Sequence, residues 1–479
     1  MAAKDSRSTV ASISTSPSLR APPVVGRLSV VFPPSCLPAS LLVTTAPIVV
    51  GREPDEGGLR VQHETVSRRH ARIAWDSERA CHGVADLGSF NGSRLDGETL
   101  SGTPQPLQDG AVLRVGDALL VYERGAELAW PEAGEVSREA VPGVARAMAA
   151  FRTRLARAAP DPKPVLIIGE TGVGKERAAA EVHRLSKRPG PLVPVNCAAL
   201  SPQLVESQLF GHVRGAFTGA ATAHEGLFRA AERGTLFLDE VGELPLELQA
   251  KLLRALEDGE VQQVGSARPA RVDVRVVAAT NRDLAAASAA GQFRADLYAR
   301  LSVWELRLSP LRERRVDILD WIERLHHRWA HENERAGAGA RPLPGFTADA
   351  AEACLRHGWP LNLRGVERLI HELFSGDALG TEPVGPARLP VWLTSPPPGA
   401  TTPDRPPSVS PSTTAAGTDA AGADEGDRAR PPIPTRAEFT AAYERLEGSV
   451  RALARHFGRD RRQIYRWLAN HGLKERSPR

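Results

Sequence analysis

The chain has few cysteines, few aromatic residues, no long apolar run and almost no excess of charge, and each shortage excludes a class of protein. Its longest apolar runs, such as Val165–Ile168 and residues 236–238, are far too short to cross a bilayer. No compact apolar segment follows a basic start, so no secretion signal is expected. The four cysteines show no paired spacing, which argues against a zinc site or a disulfide framework and favours a cytoplasmic protein. They are Cys36, Cys81, Cys197 and Cys354.

Length and charge set the next limits. With 479 residues the chain is long enough for about three domains. The formal net charge is only +4, so binding to nucleic acid cannot be argued from bulk charge. Such an argument has to rest on where the basic residues gather.

The first third of the chain alternates short β-like segments with turns rich in Gly, Asp, Asn and Pro. The clearest segments are residues 46–51, 70–75, 83–87 and 111–122. We therefore expect an all-β sandwich over residues 24–125, with loops at its ends. Residues 1–23 are rich in Ser, Thr, Ala and Pro and are predicted to be a disordered leader.

Behind this sandwich the periodicity changes. Residues 139–158 have helical spacing, and from 165 to about 301 strands alternate with amphipathic helices, which is typical of an α/β layered domain. A mostly helical stretch follows, so the predicted domain covers 139–380 with a helical lid from about 312. Residues 395–433 have the composition of a disordered linker. The basic segment 434–479 regains helical periodicity and is predicted to be all-α.

A phosphate-binding loop begins the α/β region. The apolar strand Val165–Ile168 runs directly into a segment with the P-loop spacing of two glycines and a lysine. Backbone amides of such a loop can wrap phosphates, and the lysine can reach the terminal ones. Glu176 replaces the Ser or Thr that usually follows the lysine and touches Mg²⁺. The predicted nucleotide-binding residues are Gly169, Glu170, Thr171, Gly172, Val173, Gly174, Lys175 and Glu176.

Two further strands supply polar groups that could complete this site. The apolar strand at 234–238 ends in Asp239 and Glu240, at the edge of the sheet that faces the ligand crevice. Asp239 is the predicted Mg²⁺ ligand, and Glu240 is predicted to polarise the attacking water. A third strand at 274–279 ends in Thr280 and Asn281, where the amide of Asn281 could sense the terminal phosphate. The sequence thus predicts an ATPase that uses Mg²⁺.

Residues 165–320 closely resemble the AAA+ domain of sigma-54-dependent activators, the bacterial enhancer-binding proteins. The resemblance includes residues 195–199 (Val-Asn-Cys-Ala-Ala), residues 206–212 (Glu-Ser-Gln-Leu-Phe-Gly-His) and a Lys-Glu ending of the P-loop. Its most specific part is an intact Gly-Ala-Phe-Thr-Gly-Ala hexapeptide, which in the family engages sigma-54. The expected sigma-54 contacts are therefore Gly215, Ala216, Phe217, Thr218, Gly219 and Ala220.

The resemblance also implies roles for single residues. Asn196 would restrain the catalytic Glu240, and Arg364 would contact nucleotide from the lid. Arg294 and Arg300 would act on the nucleotide of a neighbouring subunit, which requires a ring, expected to be a hexamer. The alternative for these two arginines is an ordinary helix surface. The lid motif departs from the family at Leu361 and Gly365, which puts the turnover rate in doubt.

The predicted sandwich resembles a forkhead-associated (FHA) domain, which binds phosphothreonine peptides. A dianionic phosphate needs a guanidinium and a hydroxyl, supplied by Arg52 and Ser67, with added charge from Arg68. Asn91 would hold the peptide backbone, and His70 is expected to brace a loop. A sandwich without a ligand remains the alternative.

The C-terminal segment resembles the Fis-type helix-turn-helix that ends most enhancer-binding proteins. Helices are expected at 449–457 and 461–471, with Gly458 in the turn between them. The alternative is a basic, solvated amphipathic face. The predicted contacts to double-stranded DNA are Arg461, Arg462, Gln463 and Arg466.

The sequence thus predicts an ATP-dependent activator of the sigma-54 RNA polymerase holoenzyme that binds an upstream DNA site. A threonine-phosphorylated protein or a Ser/Thr kinase is the expected partner of the FHA domain, and no membrane partner is expected. Three alternatives stay open: a DNA-bound regulator that no longer uses sigma-54, a non-transcriptional AAA+ remodeller, and a phosphopeptide adaptor with an inactive ATPase. The absence of a receiver-like region before the ATPase speaks against control by phosphoaspartate.

Overall fold

The structure is a computed structural model and describes residues 25–125, 136–199, 204–218, 220–335, 343–375, 382–394, 436–445, 453, 456 and 457. The predicted leader at 1–23 and the predicted linker at 395–433 lie outside these residues. Internal contacts divide the chain into two units, Met1–Thr401 and Thr402–Arg479. Within the described residues, no helix is both long and apolar enough to span a bilayer.

The first unit begins with eleven strands that form two sheets. Apolar side chains of these strands lie between the two sheets, so each sheet buries one face against the other. The strands are β1 (Val25–Phe32), β2 (Ser40–Val43), β3 (Ile48–Gly51), β4 (Leu59–Arg60), β5 (Ala71–Asp76), β6 (Cys81–Asp86), β7 (Ser93–Leu95), β8 (Glu98–Thr99), β9 (Gln105–Pro106), β10 (Val112–Val115) and β11 (Ala118–Gly125).

One sheet has the order β2-β1-β11-β10-β7-β8, and the other has the order β4-β3-β5-β6-β9. All of their pairs are antiparallel except β3 with β4. Leu28, Ile73, Val84 and Leu113 are fully buried between the sheets. This is the all-β sandwich that the sequence predicts.

Two local predictions in this part of the chain were wrong. Residues 111–122 are not one strand but a hairpin, because the chain turns at Gly116, which has a φ of +59°. The helix predicted over 139–158 begins only at residue 146. Pro142 and Gly143, the latter with a φ of +126°, keep the preceding residues out of a helix.

The α/β part has a parallel sheet of order β13-β14-β17-β12-β18. Its strands are β12 (Val165–Ile168), β13 (Leu192–Asn196), β14 (Thr235–Asp239), β17 (Arg275–Thr280) and β18 (Trp304–Arg307), and a small hairpin adds β15 (Glu260–Val261) and β16 (Ala270–Arg271). The helices are α1 (Arg146–Ala158), α2 (Lys175–Ser186), α3 (Val205–Phe210), α4 (Leu227–Ala230), α5 (Leu246–Glu257), α6 (Leu284–Ala289) and α7 (Ala295–Leu301).

The central strands β12, β14 and β17 are apolar along most of their length because helices cover both faces of the sheet. All strands of this sheet run in the same direction, so their carboxyl ends meet at one edge. That edge carries the P-loop after β12, the acidic pair at the end of β14 and Asn281 after β17. Ligands of open α/β sheets bind at this edge.

Four helices follow the α/β sheet, namely α8 (Ile318–Arg335), α9 (Ala348–Arg356), α10 (Asn362–Phe374) and α11 (Val391–Thr394). Helix α8 packs against both α9 and α10, and the three helices form the lid. The lid also packs against the sandwich, because helix α9 contacts β10 and β11. Val112, Leu119 and Val121 belong to the same buried apolar cluster as the lid residues Ile322 and Leu355.

In the second unit the structure describes helix α12 (Arg436–Arg445) and a few residues beyond it. Phe439 is fully buried, and its ring stacks on that of Phe457 with 5.6 Å between the centroids. Most of the expected helix-turn-helix lies outside the described residues. The same holds for the four predicted DNA contacts, Arg461, Arg462, Gln463 and Arg466.

Candidate nucleotide and phosphopeptide sites

The P-loop forms a cradle in front of helix α2. Gly172 and Gly174 have φ angles of +75° and +109°, which other residues rarely adopt. A Cβ on Gly172 would lie 2.4 Å from the carbonyl oxygen of Leu361 in the lid, so only glycine fits between loop and lid. Helix α2 begins at Lys175 directly behind this turn, and its free amide groups favour an anion at that end.

Lys175 is buried and bonded to two groups of its own chain. Its Nζ donates to the carbonyl oxygen of Gly169 at 3.0 Å and to Oε1 of Glu240 at 3.1 Å. The second carboxylate oxygen of Glu240 accepts from the backbone amide of Asn281 at 3.2 Å. The lysine, the glutamate and the residue after β17 therefore meet at one point, as the motifs predict.

Glu240 sits on a strained backbone. Its φ of +53° places it in the left-handed region, which a glutamate occupies at a cost of about 1–3 kcal/mol. The turn that imposes this conformation begins where β14 ends, and it aims the carboxylate back toward the P-loop. Strain of this kind is commonly held at functional sites.

Asp239 is suited to hold Mg²⁺. Burial raises its pKa, Lys175 opposes that shift and Glu240 adds to it. A carboxylate with a raised pKa is one whose charge lacks full compensation, and a divalent cation would supply that compensation. Among the described residues there is no cluster of three acidic, His or Cys side chains for a metal. Mg²⁺ commonly binds through one or two carboxylates and keeps water and phosphate oxygens as its other ligands, so Asp239 could hold it here.

The sequence motifs did not predict how the lid is attached to the P-loop. Asn362 is fully buried, with a φ of +49°. Its Nδ2 donates to the carbonyl oxygen of Thr171 and to Oε2 of Glu170, both at 3.1 Å, and its Oδ1 accepts from the amide of Leu311 at 2.8 Å. One amide side chain thus joins the loop, the lid and the connection between them.

Arg364 lies beside this contact, with its Cγ 3.2 Å from the position of a Cβ on Gly172. The glycine at 365 also has a packing reason, because a Cβ there would lie 3.3 Å from the ring of the buried Trp359. Glycine at position 365, where the family usually has glutamate, thus leaves room for the ring of Trp359.

Glu170 has a second partner that sequence analysis missed. Both of its oxygens accept from Arg312, at 2.9 and 2.6 Å, and this bidentate pair lowers the pKa of Glu170. The pair is about two-fifths exposed. Arg312 belongs to none of the motifs described above, and its partner lies 142 positions away, so no sequence signal indicated this pair.

Asn196, the expected partner of Glu240, bonds elsewhere. Its Oδ1 accepts from the amide of Ala198 at 2.9 Å. Asn196 lies beside Asp239 in the pairing of β13 with β14, so it is near the acidic pair. Among the described hydrogen bonds, the carboxylate of Glu240 is held by Lys175 and by the amide of Asn281. The expected bond from Asn196 to Glu240 is not among them.

The two arginines expected to act between subunits point to groups other than the P-loop of their own chain. Arg294 is exposed at the start of α7 and pairs with Asp296 at 2.7 Å. Arg300 donates to the carbonyl oxygen of Leu256 at 3.1 Å. Neither arginine contacts the P-loop in the described part of this chain.

The loop at 215–220 leaves its central side chains accessible. Gly215 has a φ of +81°, and its amide donates to the carbonyl oxygen of Ala220 at 2.9 Å, which closes the loop. Phe217 is 39% exposed, and its ring lies edge-on to that of His212 with 5.0 Å between centroids. Thr218 is exposed, and Gly219 lies outside the described residues.

The predicted phosphopeptide groups of the sandwich lie on adjoining loops. The amide of Phe90 donates to Oγ of Ser67 at 3.1 Å, so the oxygen is fixed while the hydroxyl proton stays available. Asn91 is exposed and donates to the carbonyl oxygen of Thr65 at 2.8 Å, which orients its amide. The amide of Arg52 donates to the carbonyl oxygen of Ser67 at 2.9 Å.

Arg52 lines a surface cavity of about 540 Å³ that also contains Arg60 and His63, two basic groups that sequence analysis did not single out. Arg68 is largely exposed, 3.7 Å from Glu53. Three arginines, Arg52, Arg60 and Arg68, thus lie at this end of the sandwich beside the carboxylates of Glu53 and Glu64.

His70 braces these loops, as expected. Its Nδ1 accepts from the amide of Ser67 at 3.0 Å, so Nε2 carries the proton and donates to the carbonyl oxygen of Gly92 at 3.1 Å. Burial lowers the pKa of His70, which keeps this neutral form in place. Asp86 adds a second brace, since it accepts from the amides of Gly88 and Ser89.

Comparison with known proteins agrees with a β-sandwich domain followed by an ATPase domain. Residues 141–307 match the sigma-54 interaction domain family, and residues 48–116 match the FHA domain family. The nitric oxide reductase transcription regulator NorR1 of Cupriavidus necator is 52% identical over 229 residues, 48% of this chain and 43% of that one. The sigma54-dependent transcriptional activator SfnR of Pseudomonas putida is 48% identical over 223 residues, 46% of this chain and 59% of that one.

The chain thus spans about half the length of these curated relatives. A crystal structure of NtrX from Brucella abortus with ATP aligns over 71% of this chain and 70% of that chain, at 28% identity and a TM-score of 0.48. By the family matches, residues 141–307 form a sigma-54 interaction domain, which is an AAA+ ATPase domain, behind an FHA domain at residues 48–116.

Proposed function

We propose that this chain is an ATP-dependent activator of sigma-54 RNA polymerase that binds upstream DNA and remodels the closed promoter complex. Recognition of a phosphothreonine regulates it. The observation that carries the proposal is one domain that holds both a P-loop facing Glu240 and an exposed loop at 215–220. ATP hydrolysis at the P-loop could then move the loop at 215–220.

The contacts of Lys175 suggest how nucleotide binding prepares the site. In this state the lysine and Glu240 neutralise each other. A terminal phosphate would take over the ammonium group, because a phosphate carries more charge than a carboxylate. Glu240, released from Lys175 but still bonded to the amide of Asn281, is then free to polarise a water. Mg²⁺ bound at Asp239 would neutralise phosphate charge during transfer.

Phosphoryl transfer commonly uses a further cation that a neighbouring subunit supplies. Arg294 and Arg300 are the candidates, supplied by a neighbouring subunit, because both lie on or beside α7 and bond away from their own P-loop. Hydrolysis then depends on a ring, which we propose to be a hexamer. Such an arginine commonly accelerates phosphoryl transfer by about 10³-fold or more.

The loop at 215–220 is the proposed sigma-54 contact. Phe217 presents a partly exposed ring and Thr218 an exposed hydroxyl at its tip. The similarity of this chain to a sigma54-dependent transcriptional activator of Pseudomonas putida supports this assignment. The FHA loops would bind a threonine-phosphorylated protein or kinase, and the basic segment at 434–479 would bind double-stranded DNA.

The loop assignment is tested with Thr218→Ala. The variant is expected to hydrolyse ATP at the wild-type rate but to lose capture of purified sigma-54 in the presence of a non-hydrolysable ATP analogue. Thr222→Ala, a neighbouring exposed threonine, is the matched control and should keep both activities. Lys175→Ala should lose both. Retention of sigma-54 capture by Thr218→Ala would exclude the loop as the contact.

The same experiment separates the alternative, an AAA+ DNA-bound regulator or remodeller that no longer acts on sigma-54. Such a protein would hydrolyse ATP without capturing sigma-54 in any nucleotide state. The accessible, intact loop is the observation that weighs against it.

A further inference from the structure

Phe90 is an exposed aromatic residue in the middle of the proposed phosphopeptide site. It is 92% exposed, the largest exposure among the large apolar residues of the described chain. It lies between Ser89 and Asn91 on the loop from β6 to β7. At this exposure the ring contributes little to the hydrophobic core.

The loop holds Phe90 in place before any ligand arrives. Its own amide is bonded to Oγ of Ser67, the proposed phosphate hydroxyl. Asp86 accepts from the amide and the hydroxyl of Ser89 at 2.8 and 2.7 Å. The backbone on both sides of the ring is thus fixed, and a preorganised aromatic residue loses little freedom when it binds a partner.

We propose that Phe90 recognises a large apolar side chain close to the phosphothreonine of the partner. This inference rests on the proposed phosphopeptide site, since the backbone amide of Phe90 is bonded to Ser67, which would hold the phosphate. It names the partner's chemistry: a threonine-phosphorylated segment that carries Leu, Ile, Met or an aromatic residue within a few positions. The ring covers that side chain while Arg52 and Ser67 hold the phosphate.

The test uses the full chain and a positional library of phosphothreonine peptides, with unphosphorylated peptides for comparison. For the wild type, Leu at one flanking position should bind about 10-fold more tightly than Ala there, as expected for burial of one apolar side chain. Phe90→Ser should bring this ratio to about 1, and Phe90→Leu should keep most of it. Val391→Ser, which removes another exposed apolar side chain, is the control.

Equal binding of the Leu and Ala peptides by the wild type would overturn the inference, as would an unchanged ratio in Phe90→Ser. Failure of every phosphorylated peptide to bind better than its plain counterpart is a different result. It would remove the phosphopeptide site itself and the inference with it.

A separate observation concerns the contact between the FHA domain and the ATPase lid. Arg114 at the end of β10 is buried, and its Nη1 donates to Asp349 at 2.6 Å and to Glu352 at 3.0 Å on helix α9. We call these three residues the arginine clamp. Arg94 lies 3.8 Å from both carboxylates. The other oxygen of Glu352 is buried and has no hydrogen-bond partner among the described residues.

A chain of hydrogen bonds connects the clamp to the phosphopeptide loops. Nε of Arg114 donates to the carbonyl oxygen of Gly116, and Nη2 donates to Asp117, both at 2.8 Å. The amide of Asp117 donates to Oγ1 of Thr65 at 2.8 Å, and the carbonyl oxygen of Thr65 holds Asn91. A shift of the loops on ligand binding would therefore reach Arg114 through two bonded residues.

On its other side the clamp leads to the P-loop. Helix α9 carries Asp349 and Glu352 and ends three residues before Trp359, whose Nε1 donates to the carbonyl oxygen of Cys354 at 2.9 Å. Asn362 follows and bonds to Thr171 in the P-loop. A movement of α9 would thus change how the lid covers the nucleotide.

We infer that the arginine clamp couples phosphopeptide binding to nucleotide binding. A buried ion pair has well-defined geometry and leaves an uncompensated charge when it separates, so it resists intermediate positions. By linkage, each ligand must change the affinity of the other by the same factor. The inference rests on the two proposed binding sites and assigns the connection between them.

The test measures the affinity of ADP for the full chain by calorimetry, with and without a saturating amount of the tightest library peptide. In the wild type the peptide should change the ADP dissociation constant about 5-fold or more. The double variant Asp349→Asn, Glu352→Gln keeps the shape of both side chains and should reduce this change to below about 2-fold. Asp320→Asn, which alters a half-exposed ion pair elsewhere on the lid, should leave it intact.

No change in the wild type, or an equal change in the double variant, would contradict the coupling. If ADP or peptide does not bind at all, the proposed binding sites fail and the coupling with them. In that case no dissociation constant can be measured, whereas a failure of the coupling alone gives the same ADP dissociation constant with and without peptide.

Discussion

The proposed phosphopeptide site and the proposed ATPase site differ in how many of their functional groups one chain already holds in place. At the FHA loops, Ser67, Phe90 and Asn91 are held by bonds that leave their ligand-facing groups free. In the ATPase domain, Lys175 and Glu240 are bonded to each other, and Arg294 to Asp296. The loops of the sandwich are already held for the proposed phosphopeptide, whereas in the proposed ring the ATPase site exchanges internal bonds and receives a cation from a neighbouring subunit.

This difference suits a sensor joined to a motor. A site that only reads a phosphothreonine gains affinity from being preformed. In the proposed ring, an ATPase site that depends on a neighbour's arginine would not hydrolyse ATP before the subunits assemble. The comparison yields three predictions, each of which acts on one site and leaves the other as its internal reference.

The largest effect is expected from the arginine that one chain cannot use on itself. Arg294→Ala should lower ATP hydrolysis by about 10³-fold while nucleotide still binds, because transition-state charge loses its partner. Mixing Arg294→Ala with Lys175→Ala subunits should restore part of the activity, since some interfaces then hold both groups. Phosphopeptide affinity should not change.

The matched control is Arg307→Ala, a more exposed arginine of the same domain that pairs with Glu305. A mixture that stays as inactive as its components would show that the arginine does not act between subunits.

An intermediate effect is expected at the preformed site. Arg52→Ala should weaken phosphopeptide binding by about 10- to 100-fold, because a charge-assisted hydrogen bond to phosphate is lost. Hydrolysis without peptide should be unchanged. Calorimetry with paired phosphorylated and plain peptides measures this, and Arg72→Ala, an exposed arginine on β5, is the control. Equal loss for the plain peptide would point to a damaged fold.

The smallest effect is expected from the pair between Glu170 and Arg312. Both side chains are about two-fifths exposed, so removal of Arg312 should cost no more than about 1 kcal/mol. Arg312→Ala should therefore weaken ADP binding by less than about 5-fold. A much larger loss would show that the pair, rather than the buried Asn362, holds the lid on the P-loop.

The sequence predicted those features that depend on neighbouring residues. The apolar run Val165–Ile168 followed by the P-loop spacing indicated both a strand and its ligand, and the structure has that strand. The hairpin at Gly116 was missed because its two strands are apolar on both sides of a two-residue turn. The start of α1 was placed too early because apolar spacing was given more weight than Pro142 and Gly143.

Contacts between distant segments could not be predicted in the same way. Asn362 meets Thr171 across 191 positions, and Arg114 meets Glu352 across 238. Neither residue belongs to a periodic pattern, and a buried amide or arginine has the same letter as an exposed one. The exposure of Phe90 was equally invisible, since an apolar residue near a strand is usually part of the core.

The central claim is that hydrolysis in this ATPase domain opens promoter DNA through the loop at 215–220. The most direct test is permanganate footprinting of a sigma-54 promoter with purified holoenzyme and the full chain. With ATP, thymines near the start site should become reactive, and they should stay protected with ADP or with Thr218→Ala. Protection with ATP and the wild-type chain, while ATP is being hydrolysed, would contradict the account.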